Sequence, residues 1–294
     1  MELKIENLSK TYQKGVRALK KVNLNISTNM FGLLGPNGAG KSTLMRTIAT
    51  LQAADERSVR LDDIDVLKEK GRVRRILGYL PQDFGVYTDV SAEKMLDHIS
   101  LLKGIVKKKE RKEAVNSLLE QTNLYHVRKR KLGGFSNGMK QRFGIAQALI
   151  GSPELIIVNE PTAGLDPEER NRFHNLLSEI SENVIVILST HIVDDVRRLC
   201  HHMAIIREED ILFSGSPGEA EKNLDGKTWE KVIKKEELPE HEQQFNVILT
   251  RLSAGNVLIH VLNDRQPQGG FTSVNPDLED VYFSTLKHDF SPVQ

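Results

Sequence analysis

The chain has 294 residues, enough for one large or two modest domains with a substantial core. A formal charge of +1, with 28% charged and 5% aromatic residues, is the composition of an ordinary globular protein and points away from a nucleic-acid binder. The single cysteine, Cys200, excludes an intrachain disulfide and suits a reducing compartment; MELKIENLSK carries no apolar leader and no apolar run reaches membrane-spanning length, so the expectation is a chain neither secreted by that route nor inserted in a bilayer.

In chain order, residues 3–8, 22–26 and 30–34 have strand character. The third run leads into Gly35-Pro-Asn-Gly-Ala-Gly-Lys-Ser-Thr43, which fits G-x-x-x-x-G-K-[ST], and a helical pattern follows over 43–51. Strand, glycine-rich turn and helix in that order predict a phosphate-binding loop. Gly35, Asn37, Gly38, Ala39 and Gly40 let backbone N–H groups turn inward on an anion. Lys41 reaches the same oxygens, Ser42 is placed to bind Mg²⁺, and Thr43 opens the helix.

Residues 59–61 and 77–80 again read as strands, and 91–150 as helical, with Met95, Ile99 and Leu102 on one stripe and Leu118 and Leu119 on another. Continuous apolar runs at 155–158, 184–188 and 203–206 are those of parallel strands covered on both faces. The order predicts an α/β core interrupted by a helical insertion. The composition changes after about Ser216, and 229–233, 245–249 and 257–262 look like short strands of a further unit.

A second cluster of motifs comprises Phe135-Ser-Asn-Gly-Met-Lys-Gln-Arg142, Leu155-Ile-Ile-Val-Asn-Glu-Pro-Thr162, Ala163-Gly-Leu-Asp166 and Ser189-Thr-His191. With the phosphate loop, in that order, the chain resembles the ATP-binding cassette (ABC) ATPases, the nucleotide-binding subunits of membrane transporters. The likeness covers roughly residues 1–216.

It implies a P-loop NTPase core of ABC type with an antiparallel β subdomain, a helical subdomain inserted at about 86–150, and a small α+β C-terminal domain over 217–294. It also implies ATP and Mg²⁺ as ligands, a membrane permease as partner, and a homodimer or a pairing with a related cassette. No nucleic acid is expected. The implied place is cytoplasmic, peripheral at the inner face of the plasma membrane.

Hydrolysis of a γ-phosphate is mainly positioning and charge stabilisation, so a site needs N–H donors, a cation, Mg²⁺ and a group to orient water. Glu160, just past an apolar strand, is by resemblance the general base or water-polarising residue. Gln82, in Tyr79-Leu-Pro-Gln-Asp83, matches the Q-loop that contacts Mg²⁺ and senses the transporter, and His191 matches the switch histidine that contacts the γ-phosphate. A histidine after a strand is more often structural; only its Ser-Thr-His setting argues otherwise. Tyr12 sits where the family stacks an aromatic ring on adenine. Asp166 matches the D-loop residue that touches the partner, and Ser136 and Gly138 belong to the signature that closes over ATP held by the opposite subunit.

Two positions depart from the pattern. Asn137 stands where the signature usually has glycine. Asn159 stands where the Walker B strand normally ends in an aspartate that acts on Mg²⁺ through bound water. Asparagine keeps an acceptor oxygen and deletes the charge, which leaves two readings open: a weakened metal site, or a site held well enough by Ser42, Gln82 and the phosphates.

The ending Asn275-Pro-Asp-Leu-Glu-Asp-Val-Tyr-Phe-Ser284 resembles the segment closing many ABC-2 exporter cassettes, which implies an exporter over an importer. A regulatory cassette that binds ATP and barely hydrolyses it, and a non-transport cassette in translation or DNA repair, are the alternatives. Basic runs at 103–112 and 126–131 read first as solvated helix ends, with anionic headgroups as the other reading. The segment 84–90 is the one the family lays against the permease.

Overall fold

The computed structural model describes residues 1–82, 85, 87–253 and 255–287. Phe84, within the expected permease-facing segment, and the last seven residues of the tail lie outside the described residues.

Among the described residues the central sheet has six strands in the order Asp210–Gly215, His202–Arg207, Asn29–Leu34, Ile185–Thr190, Leu155–Asn159, Leu77–Leu80. All neighbours are parallel except the first pair, an antiparallel hairpin at one edge. Alternation along each strand divides its side chains between two layers. Leu155, Ile157, Ile185 and Ile187 join the core beneath the helix Lys41–Ile48, whereas Ile156, Val158, Val186 and Leu188 join the core beneath the helices Pro167–Ser181 and Val193–Leu199. Both faces are covered, as the continuous apolar runs predict.

A second sheet pairs Arg17–Ser27, Glu2–Thr11, Glu56–Leu61 and Ile64–Asp65 in antiparallel order. Its inward residues Leu3, Ile5, Leu24, Ile26, Val59 and Leu61 share the first core with Leu44, Met45 and Ile48 of the helix that follows the phosphate loop. The helices Ala92–Leu102, Lys108–Gln121 and Asn137–Ala148 form their own core around Leu96, Leu119, Phe135 and Phe143, where the two phenylalanine rings meet edge to face at 6.4 Å.

In the tail, Val247–Ser253, Asn256–Leu262, Thr228–Ile233 and Thr272–Ser273 form a third antiparallel sheet around Val257, Ile259, Val261 and Phe271. The helix Leu278–Lys287, which carries most of the exporter-like ending, turns back so that Leu278, Val281 and Tyr282 pack in the core of the six-stranded sheet. Two details differ from the sequence reading. The strand expected at 245–249 runs Val247–Ser253, because pairing with Asn256–Leu262 carries polar Thr250, Arg251 and Ser253 into the ladder. The edge strand Asp210–Gly215 is largely half-buried and so lacks the apolar run that marks its neighbours.

Candidate functional site

Close packing fixes the loop between Leu34 and Lys41. Gly35 passes so near the strand His202–Arg207 that an added Cβ would sit 2.3 Å from the Ile206 carbonyl oxygen. At Gly40, φ is +101° and a Cβ would meet the Ala18 carbonyl oxygen at 2.4 Å, so only glycine fits. From there the helix Lys41–Ile48 begins with its N-terminus at the loop, the geometry that favours a bound anion.

The loop opens into a cavity of about 290 Å³ lined by Tyr12, Asn37, Gly38, Gly40, Lys41, Ser42, Thr43, Gln82, Asn159 and Glu160. Residues drawn from four stretches of sequence therefore meet. Lys41 is buried and donates from Nζ to the carbonyl oxygens of Gly35 at 2.5 Å and Pro36 at 3.0 Å. Burial pushes its ammonium below the usual lysine range, and the Glu160 carboxylate, 4.0 Å away, opposes that shift. A phosphate entering the cavity would offer Lys41 anionic acceptors in place of neutral carbonyls.

Asn159 ends its strand in register with Ser189, pointing to the same face as Leu155 and Ile157 and so toward the phosphate loop. Glu160 comes next with φ of +48°, a left-handed conformation uncommon outside glycine, and its N–H donates to the Ser189 carbonyl oxygen at 2.8 Å. His191 leaves the neighbouring parallel strand at the same level. Its Nδ1 lies 2.8 Å from Glu160 Oε2, and since a carboxylate only accepts, the ring nitrogen donates.

Tyr12 stands at the cavity mouth, partly exposed, with its hydroxyl 3.2 Å from Thr43 Oγ1 and donating to Gln52 Oε1 at 3.0 Å. Val16, Arg17, Ala18 and Pro36 also line the cavity. The sequence reading named none of these for a site. Of the four only Pro36 carries a sequence signal, its place inside the phosphate-loop motif; Val16, Arg17 and Ala18 carry none.

Ser136, Gly138 and Asp166 do not line this cavity. Ser136 caps the helix Asn137–Ala148 by accepting from the Met139 N–H at 3.2 Å, and Asp166 caps Pro167–Ser181 by accepting from the Glu169 N–H at 2.9 Å. The two capped helices touch at Gly138, where a Cβ would fall 2.6 Å from Glu169 Oε2. Asn137 is the first residue of its helix.

Ser42, Gln82 and Asn159 present neutral oxygen donors to the cavity, and among the described residues that line it Glu160 supplies the one carboxylate. Oxygen donors with few charges, completed by water and phosphate, suit Mg²⁺. The buried Ser189 hydroxyl, in register with Asn159, has no hydrogen-bond partner among the described residues, which adds an unused oxygen on this face. No group of three His, Cys, Asp or Glu able to hold a metal occurs among the described residues.

A larger groove of about 710 Å³ lies on the helical insertion, lined in part by Lys108, Lys112, Lys129 and Lys131 of the two basic runs. Other members of those runs have structural partners. Lys103 donates to the Arg74 and Leu77 carbonyls, Arg111 pairs with Asp97 at 2.9 Å, and Arg128 lies 4.0 Å from the Tyr125 ring centre. Among the described residues no helix is long and apolar enough to cross a membrane.

The sequence profile of the ABC transporter family matches residues 19–163. Among curated proteins, an uncharacterised ABC transporter ATP-binding protein of Bacillus subtilis, YxlF, is 35% identical over 72% of this chain and 70% of its own length. The bacitracin transport ATP-binding protein BcrA of Bacillus licheniformis is 36% identical over 71% of this chain and 68% of its own. Among solved structures, a dimeric ATP-binding cassette in a post-hydrolysis state bound to ADP and Pi is 27% identical, with a TM-score of 0.67 over 73% of this chain and 98% of that one.

Proposed function

Since the chain belongs to the ABC transporter family of ATP-binding proteins, we propose that it binds and hydrolyses ATP, dimerises on ATP, and drives a separate membrane permease. The observation that carries this reading is the single cavity into which the phosphate loop, Gln82, Asn159 and Glu160 converge, with His191 bonded to Glu160 behind it.

The roles follow from position. Backbone N–H groups from Gly38 to Thr43, with Lys41, hold the β- and γ-phosphates, and Tyr12 packs on the adenine. Ser42 and Gln82 would hold Mg²⁺, with Asn159 beside them; when bound, the ion would neutralise charge on the phosphates. Glu160 accepts the proton of a water placed in line with the γ-phosphate, and His191 holds that carboxylate in place. Lys41 meets the negative charge that builds on the transferred group. Burial of Lys41 and Glu160 keeps solvent from screening either charge.

Ser136, Gly138 and Asp166 lie outside the cavity of their own chain, which supports a composite site completed by a second cassette. Residues 1–216 form the ATPase domain in this reading, with the helical subdomain at about 86–150, and 217–294 an accessory domain. The exporter-like ending, and a relative whose name is that of a bacitracin transport protein, favour export. The chain then sits peripherally at the inner face of the membrane, held by its permease. Asn159 supports a second reading, a regulatory cassette with weak hydrolysis.

Light scattering of the Glu160→Gln variant tests the dimer. With saturating ATP and Mg²⁺ the molar mass should double. A variant that stays monomeric refutes the homodimer and leaves a different cassette as the mate.

A further inference from the structure

Asp195 lies two residues into the helix that follows His191, and it is fully buried. Its carboxylate accepts from three other residues. Thr162 donates from Oγ1 to Oδ2 at 2.5 Å, Arg170 from Nε and Nη2 to Oδ1 at 2.9 and 2.6 Å, and His174 Nε2 lies 2.8 Å from Oδ1. An ion with no access to water is stable only when so compensated, and here the compensation is complete.

The donors come from two segments that flank the catalytic pair. Thr162 lies inside the turn that carries Glu160, closed by the Ala163 N–H on the Glu160 carbonyl and the Leu165 N–H on the Thr162 carbonyl. Arg170 and His174 lie on the helix capped by Asp166. Asp195 itself follows His191 in the chain, on the first turn of the helix Val193–Leu199, and the connecting turn is closed by the Ile192 N–H donating to Thr190 Oγ1 at 3.0 Å. One carboxylate thus joins the Glu160 turn, the His191 segment and the Asp166 helix without touching the cavity.

Glu160 needs such support. Its left-handed backbone persists only where the surroundings over-determine it, and the His191 ring that meets it is half exposed, held by a single hydrogen bond among the described residues. We propose that Asp195, through Thr162, is a positioning residue for the Glu160–His191 pair: it fixes the turn after Glu160 against the helix after His191, so that the carboxylate faces the γ-phosphate in one orientation. This inference rests on the reading of Glu160 as the water-orienting group.

Turnover and binding should separate. Neither Asp195 nor Thr162 lines the cavity, so Thr162→Val should leave KM and the affinity for a non-hydrolysable ATP analogue within about twofold, while kcat falls on the order of 10- to 100-fold, the scale of an ångström-level misplacement. Thr162→Ser keeps the hydroxyl and should restore most of kcat. Asp195→Ala, which removes both oxygens, should show the same split per folded molecule, and adding Thr162→Val to it should cost little more, because both remove one link.

Circular dichroism supplies the folded fraction to which each kcat is normalised. A merely structural role predicts wild-type kcat per folded Thr162→Val molecule, and that result overturns the proposal, as does a double variant whose losses multiply. A wild-type chain without Mg²⁺-dependent turnover fails the underlying functional reading instead, and the two failures are read from different proteins.

Discussion

His191 Nδ1 lies 2.8 Å from Glu160 Oε2 although 31 residues separate them. The contact follows from strand order, since Leu155–Asn159 and Ile185–Thr190 are parallel neighbours in register and the two residues are the first beyond their ends. A doubly covered parallel sheet places such residues together at the carboxyl edge of its strands, beside the phosphate loop that leaves the strand Asn29–Leu34. The fold therefore brings the Glu160 carboxylate, His191 and the phosphate loop together without any of them being close in sequence.

Lys41 is buried against two carbonyl oxygens and one carboxylate, and no other side-chain cation belongs to the loop. Lys41→Ala should weaken ATP binding and lower turnover about 100- to 1,000-fold, the usual cost of deleting a group that meets transition-state charge. The far-ultraviolet circular dichroism spectrum should be unchanged. Near-wild-type phosphate release from this variant would remove the loop from the mechanism.

Two glycines should respond oppositely to alanine. At Gly40 the left-handed backbone and the Ala18 carbonyl both oppose a Cβ, so Gly40→Ala should cost at least ~1–3 kcal/mol. Gly71 lies within the helix Lys70–Ile76 with open space around it, and Gly71→Ala should stabilise by ~0.4–1 kcal/mol. Urea denaturation of both variants reads the two signs; a Gly40→Ala variant as stable as the wild type would mean the loop is looser than its packing implies, and a destabilised Gly71→Ala would contradict the open space at that helix.

How far all this was legible in the sequence depends on the range of the interactions involved. The phosphate loop and the strands Leu155–Asn159 and Ile185–Thr190 announce themselves locally, through a nine-residue motif and through apolar runs. Strand order is not local: the family resemblance implies a place near the γ-phosphate for Glu160 and for His191 separately, and nothing in their spacing shows that the two bond to each other. Val16, Arg17 and Ala18 escaped notice because they enter the cavity from an antiparallel hairpin whose position depends on packing against the helix Lys41–Ile48. The family resemblance assigns Ser136 and Asp166 to a partner chain, whereas each also caps its own helix, a duty that Asp166-Pro-Glu-Glu169 spells out in its N-terminal pattern of capping residue, proline and acids.

Asp195 sets an acid limit on stability. Burial alone would raise its pKa, but hydrogen bonds from His174, Thr162 and Arg170 outweigh burial and hold the carboxyl below the usual aspartate range. A carboxyl depressed in the folded state stabilises fully above its unfolded pKa of about 3.9 and loses that contribution as pH falls through the folded value. Asp195→Ala, which leaves His174 without its carboxylate and Arg170 with only the longer contact to Asp194 at 3.7 Å, should cost ~3–5 kcal/mol near neutral pH. The deficit should shrink below about pH 4, where the wild type forfeits the same contribution. Melting temperatures across pH check the sign, and a constant gap would contradict it.

Asn159→Asp adds a negative charge and changes little else in size, at a position facing the cavity beside Ser42 and Gln82. Groups that act on a metal through a first ligand tune affinity or activity by ~10–100-fold. The Mg²⁺ concentration for half-maximal ATPase activity should fall, or the rate rise, by about that factor, with Mg²⁺-free nucleotide binding unchanged. Superimposed Mg²⁺ titrations would show that asparagine is tolerated and end the weak-hydrolysis reading.

The most direct test of the whole account is steady-state phosphate release by the purified chain and its Glu160→Gln variant at saturating ATP and Mg²⁺, with nucleotide binding measured on the same samples. Loss of a positioned proton acceptor typically costs ~100- to 10,000-fold, so the wild type should turn over and the variant should bind ATP while releasing phosphate slower by about that factor. Equal rates in the two proteins would contradict the assignment of Glu160, and a wild type that binds ATP and never hydrolyses it would contradict the ATPase function.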